Sequence, residues 1–74
     1  MAFAARRFLK DFAPSAADVV DAIGGYGFTP PLARSIYQWS LRGSIPSHYL
    51  IAILFIRELE QRPASIIEYM RGAE

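Results

Sequence analysis

Pro14, Pro30, Pro31, Pro46 and Pro63, with Gly24, Gly25, Gly27, Gly43 and Gly72, cut the chain into short segments that no single long element can bridge. Between these breaks, apolar residues recur at helical spacing. Ala5, Phe8, Leu9 and Phe12 stand at i, i+3, i+4 and i+7, the stripe of an amphipathic helix, with Arg6, Arg7 and Lys10 off it. Pro14 ends that helix, because the residue before a proline resists helical backbone angles. The stripe reads as a core face, and the basic residues beside it also suit an arm that touches phosphates or lipid headgroups. Ser15 is suited to cap a second helix, with Asp18 where a capping box usually has glutamate. Ala16, Val19, Val20 and Ile23 supply its stripe, Gly24-Gly25 its stop, and Gly27 a flexible loop.

Thr29 is placed to cap a third helix, with Pro30 at its first position and Leu32, Ile36 and Trp39 on one side. Gly43 closes it, and Ile45-Pro46-Ser47 opens the fourth. That helix runs through the apolar stretch Tyr49 to Ile56 into a charged end where Glu58 and Arg62 pair at i, i+4. The β-branched residues of the stretch would also suit a buried strand, but its Pro-Ser start and charged end favour helix. Pro63 breaks the fourth helix and starts a fifth, with Ile66, Ile67 and Met70 as its stripe and Gly72 as its stop. The expectation is an all-α fold, a single domain over residues 1–74. It is a small bundle of about five helices with a helix-turn-helix-like segment over about 15–43.

A 74-residue chain is near the size where one core only just suffices, yet 53% of this one is hydrophobic. It has no cysteine, so neither a disulfide nor a cysteine-held metal can staple it. Association is then the expected source of added stability. The fourth helix is apolar all round and reads as buried on every side. With too little protein to surround it, one face is expected to meet another subunit, through Tyr49, Leu50, Ile53, Leu54 and Ile56. A homo-oligomer, a dimer or higher, follows. The same stretch is far too short for a bilayer, which needs roughly 20 apolar residues. The basic N-terminus faintly resembles a targeting peptide, but no apolar signal core or cleavage site follows it, so a cytoplasmic protein without membrane partners is the expectation.

The net charge is only +1, but its distribution is uneven. No Asp or Glu occurs between Ala22 and Arg57, a segment that holds Arg34, Arg42 and Arg57. Such a segment can face a polyanion in a nearly neutral molecule, although arginines are equally at home as solvated surface residues. In the third helix successive residues turn by about 100°, which gathers Arg34, Tyr37, Gln38 and Leu41 opposite the core side, with Arg42 at the edge. A major groove admits one helix, and from such a face Arg forks onto guanine and Gln onto adenine. Ser35, near the helix start, suits a phosphate or base contact. Trp39 reads as a core anchor beside Leu32 and Ile36.

The residues Ser35-Ile36-Tyr37-Gln38-Trp39, followed by Arg42-Gly43-Ser44-Ile45-Pro46, resemble the recognition-helix end of Cro and repressor-like phage regulators. They are similar also to the excisionase and MerR-like pattern, in which Ser/Thr-Ile-Tyr-x-Trp precedes Gly-x-Ile-Pro. Upstream, Asp18-Val19-Val20-Asp21-Ala22-Ile23-Gly24-Gly25 is similar to the first helix and Gly-Gly stop of the Cro-like group. The resemblance implies a helix-turn-helix regulator. Only Tyr26 to Gln38 separate the Gly-Gly stop from the tryptophan, fewer residues than those families have. Either the helix ending at Ile23 serves as the first motif helix with a long Gly-rich turn, or the motif is degenerate.

Catalytic chemistry finds little footing. His48 is the only histidine, the acids are scattered, and no nucleophile elbow appears, so a non-enzyme without cofactor or metal is expected. Gly24-Gly25-Tyr26-Gly27 is not a phosphate loop, since it follows a helical pattern and lacks the Lys-Ser/Thr ending. Two functions remain. One is a phage-like or mobile-element transcription regulator that binds duplex DNA as a dimer through the 30–42 helix. There Arg34, Ser35 and Gln38 face the groove, and Tyr37 and Arg42 touch phosphates. The other is a helical protein-interaction module, an anti-activator or adaptor that does not bind DNA.

Overall fold

The computed structural model describes residues 3–70. Within them the chain forms five helices and no strand: α1 (Ala5–Phe12), α2 (Ala16–Gly25), α3 (Ala33–Arg42), α4 (Ser47–Leu59) and α5 (Ile66–Met70). Each contributes to one core. Phe8, Leu9 and Phe12 come from α1, Val19 and Ile23 from α2, Ile36 and Trp39 from α3, Ile53 and Ile56 from α4, and Tyr69 from α5. The all-α bundle expected from the breakers and stripes is the observed fold.

α1 follows its stripe, burying Ala5, Phe8, Leu9 and Phe12. Ala13, ahead of Pro14, turns extended and ends it. α2 starts on Ser15, whose Oγ accepts from the Asp18 backbone N–H and whose hydroxyl donates to Asp18 Oδ2 at 2.9 Å. The shorter aspartate thus meets the hydroxyl, not the Ser15 backbone. α2 ends at Gly24-Gly25, its last helical residues, as expected. The turn beyond it is closed at Gly27, at φ 91°, where Gly27 N–H donates to Gly24 and Phe28 N–H donates back to Ile23. That pairing satisfies the last carbonyls of the helix and needs left-handed backbone at the glycine.

α3 begins later than Thr29 and Pro30 suggest. Each residue before a proline is disfavoured in the helical region; residues 29–32 lie outside the helix, and Leu32 becomes an extended cap at ψ 147°. Leu32 is consequently exposed and does not join Ile36 and Trp39 in the core. Gly43, at φ 72°, ends the helix and donates to the Trp39 carbonyl at 2.9 Å.

α4 is a helix along its whole length, but not one buried on every side. It closes on a non-glycine residue, Gln61 at φ 60°, with Gln61 N–H donating to Glu58 and Arg62 N–H to Arg57. The expected Glu58–Arg62 pair does not form, because α4 ends at Leu59 and leaves Arg62 outside the helical spacing. Arg62 instead pairs with Glu60 and donates at 3.2 Å to the carbonyls of Asp11 and Phe12, the exposed end of α1. α5 opens on a capping box not anticipated from sequence: Ser65 Oγ accepts from Ile67 N–H while Glu68 Oε1 accepts from Ser65 N–H. Its buried residue is Tyr69, whereas Ile67 is exposed and the Gly72 stop lies outside the described residues.

Candidate nucleic-acid interface

α3 is held by its inner side. Ile36 and Trp39 are buried, and the Trp39 ring lies 5.1 Å from that of Tyr49 on α4. Everything turned the other way faces solvent. Arg34, Gln38 and Arg42 follow one another at successive turns, all exposed, with Tyr37 at 64% and Leu41 at 86% exposure beside them. Ser35 is half-buried, so it is less available than the other four residues expected on this face. No acidic residue lies on α3, and among the described residues neither Arg34 nor Arg42 pairs with a carboxylate.

The step from α2 to α3 departs from a helix-turn-helix. Tyr26 to Leu32 connect the two helices, a longer path than the roughly three- or four-residue turn of that motif. α2 and α3 nevertheless pack directly on each other. The connection is long and carries Gly27, a geometry that a helix-turn-helix with a lengthened turn and a degenerate motif would share. Alongside α3, α1 carries Arg6 and Lys10 on its exposed side.

The five residues expected at an interface between copies divide into two groups. Ile53 and Ile56 are 0% exposed, enclosed by the chain itself, and are removed from any such contact. Tyr49, Leu50 and Leu54 are half-buried against the core. The outward side is instead Ile51, Phe55 and Leu59, at 65%, 51% and 53% exposure and spaced i, i+4, i+8. An unbroken apolar run gives no phase by itself. The signal that could have set it is the helical spacing carried on from Ile53 and Ile56, once those two are known to be core.

Electrostatic pairing concentrates away from α3. Tyr26 Oη donates to Glu60 Oε2 at 3.0 Å, which raises the phenol above its ordinary range. The Arg62 guanidinium, ahead of the Tyr26 hydroxyl, holds Glu60 below the usual carboxylate range. Burial, with the Asp11 hydrogen bond, raises Tyr69. His48 is exposed, its ring 4.2 Å from Tyr49. Among the described residues no three acidic or histidine side chains converge as a metal site, and no helix is long and apolar enough to cross a membrane. No protein-family model matches the chain, nor does any curated protein or solved structure.

Proposed function

We propose that the chain is a small DNA-binding regulator of the phage or mobile-element kind, which reads duplex DNA with the outer face of α3. The observation that carries this reading is the run Arg34, Gln38, Arg42 on one solvent-facing side of a helix whose other side is anchored by Ile36 and Trp39. A rigid helix with forked donors and no carboxylate suits a major groove, where each good bidentate contact contributes about 1–3 kcal/mol of base discrimination. Arg34 and Gln38 are assigned to base edges, and Arg42, Tyr37 and the partly covered Ser35 to phosphates. The molecule acts as a dimer, joined through the exposed stripe of α4.

Selection from a random duplex library tests this. The native chain should enrich one motif and lose affinity steeply with salt, by a slope of about −0.9 for each neutralised phosphate. The variant R34A/Q38A should keep its helical circular dichroism and lose the motif. Equal enrichment by native and variant chains sinks the assignment, as does affinity that salt leaves unchanged.

A second reading is favoured by one observation. Tyr37, Leu41 and the α4 stripe give this small chain more exposed apolar surface than groove binding requires. A protein-interaction module would use that surface, would show no salt-dependent DNA affinity, and would hold a protein partner through Tyr37 and Leu41.

A further inference from the structure

Between α1, α2 and α3 lies a groove of about 420 Å³, of whose lining the readings above use only Tyr37 and Leu41 at the α3 rim. Its floor is apolar: Leu9 and Ala13 at the end of α1, Ala16 and Val19 on α2, and Ile36 on α3. Leu9, Val19 and Ile36 are buried core residues, so the floor is the roof of the core itself and holds its shape without a ligand. A volume of this size falls in the roughly 300–1,000 Å³ range of small-molecule sites, near its lower end, and too small for a whole partner helix.

One lip is charged. Arg6 and Lys10 sit one turn apart on α1, both exposed, and neither makes a hydrogen bond or ion pair among the described residues. No acidic residue lines the groove. On the opposite wall stands Tyr37, whose hydroxyl is likewise without a partner among the described residues. Two unpaired cations beside an apolar floor select for one ligand chemistry: an apolar body that replaces water on the floor, with an anionic end at the α1 lip.

We propose that this groove binds a small amphipathic anion, a medium-chain carboxylate being its simplest representative. The inference goes beyond DNA binding and stands whether or not α3 enters a groove of DNA. The two can meet at Tyr37, which borders the pocket and belongs to the outer side of α3.

The test is a nitrogen–proton NMR titration of the full chain with sodium decanoate below its micelle threshold, compared with decanol and acetate. Decanoate should shift the amides of Ala13, Ala16 and Ser40 saturably, decanol should shift the same amides more weakly, and acetate should not reach saturation. The variant R6E/K10E changes only exposed residues and should keep the native melting curve. Its affinity for decanoate should fall by at least about tenfold, from two surface attractions turned into repulsions, while its affinity for decanol stays unchanged. Equal affinity of the native chain for decanoate and decanol overturns the proposal. So do decanoate shifts centred on Ile51 and Phe55, or a charge-reversed variant that binds decanoate as tightly as the native chain.

Discussion

Gln61 occupies backbone that glycine occupies at the two comparable helix ends. Gly27 and Gly43 close α2 and α3 at positive φ, and Gln61 closes α4 at φ 60° with the same return of amides to the last carbonyls. A side chain in the left-handed region costs roughly 1 kcal/mol or somewhat more, which a glycine avoids, although glycine also widens the unfolded ensemble. Q61G is therefore expected to raise stability by about 0.5–1 kcal/mol, seen as a higher urea midpoint with an unchanged slope. G43A should move the midpoint the other way by a similar amount. If both variants melt as the native chain does, backbone conformation does not limit the stability of these helix ends. The glycine stops were legible in the sequence because few other residues end a helix this way. The stop at Gln61 was not legible, since nothing local distinguishes a glutamine held left-handed from one in a helix. Gly24-Gly25 located the end of α2, while Gly27, read only as a loop glycine, supplies the left-handed residue beyond it.

At the scale of the element, α5 is the clearest dependent. The five described residues of α5 make little more than one turn, too little to sustain a helix by themselves. It is held through Tyr69, whose ring meets Phe8 edge-on at 5.1 Å with the Arg7 guanidinium 4.8 Å from its centre. Tyr69 Oη donates to Asp11 Oδ2 at 2.7 Å and accepts from Arg57 at 3.1 Å, while Ala4 N–H donates to the Tyr69 carbonyl at 2.7 Å. Y69F keeps the ring and removes the hydroxyl, leaving Asp11 and Arg57 without that partner, for an expected loss of about 1–2 kcal/mol. The same hydroxyl predicts an alkaline limb. Burial raises the folded-state phenol above its ordinary value of about 10, so the unfolded chain releases that proton first. The contribution is complete below about pH 10 and declines as pH rises from there toward the folded value. Thermal melts from about pH 8 to 11 should fall more steeply in the native chain than in Y69F. Parallel curves would show that Tyr69 does not carry the limb. Tyr26, raised by its hydrogen bond to Glu60, is controlled by Y26F. Sequence placed Ile67 in the core because so short a stripe holds too few turns to fix its phase, and the partners that choose Tyr69 come from the far end of the chain.

For the whole molecule, the unresolved balance is apolar surface. The five-helix layout was legible because proline and glycine punctuate it, and the inner side of α3 because Ile36 and Trp39 share a phase. What the small core would leave outside was not legible, since it depends on which side of α4 the rest of the bundle covers. Part of the remainder forms one stripe on a single helix, Ile51, Phe55 and Leu59 of α4. Burying that stripe against a second copy removes apolar area that a chain this short cannot cover itself, at about 25 cal/mol for each Å². A two-fold contact is self-complementary, so a charge placed on the stripe meets its own image across the interface. I51E/L59E introduces two such charges at exposed positions and leaves the Phe28–Phe55 ring contact, at 6.0 Å, in place. In sedimentation equilibrium the native chain is expected at twice the chain mass and the variant at the chain mass, both with native helix content. The variant should also lose DNA affinity, because two half-sites about 34 Å apart are then no longer bound together. A native chain that sediments as a monomer at tens of micromolar, well above typical specific DNA affinities of about 10⁻⁸ M, removes the dimer from this reading. It would leave the outer face of α3 to bind a single half-site, or to serve the protein-interaction alternative.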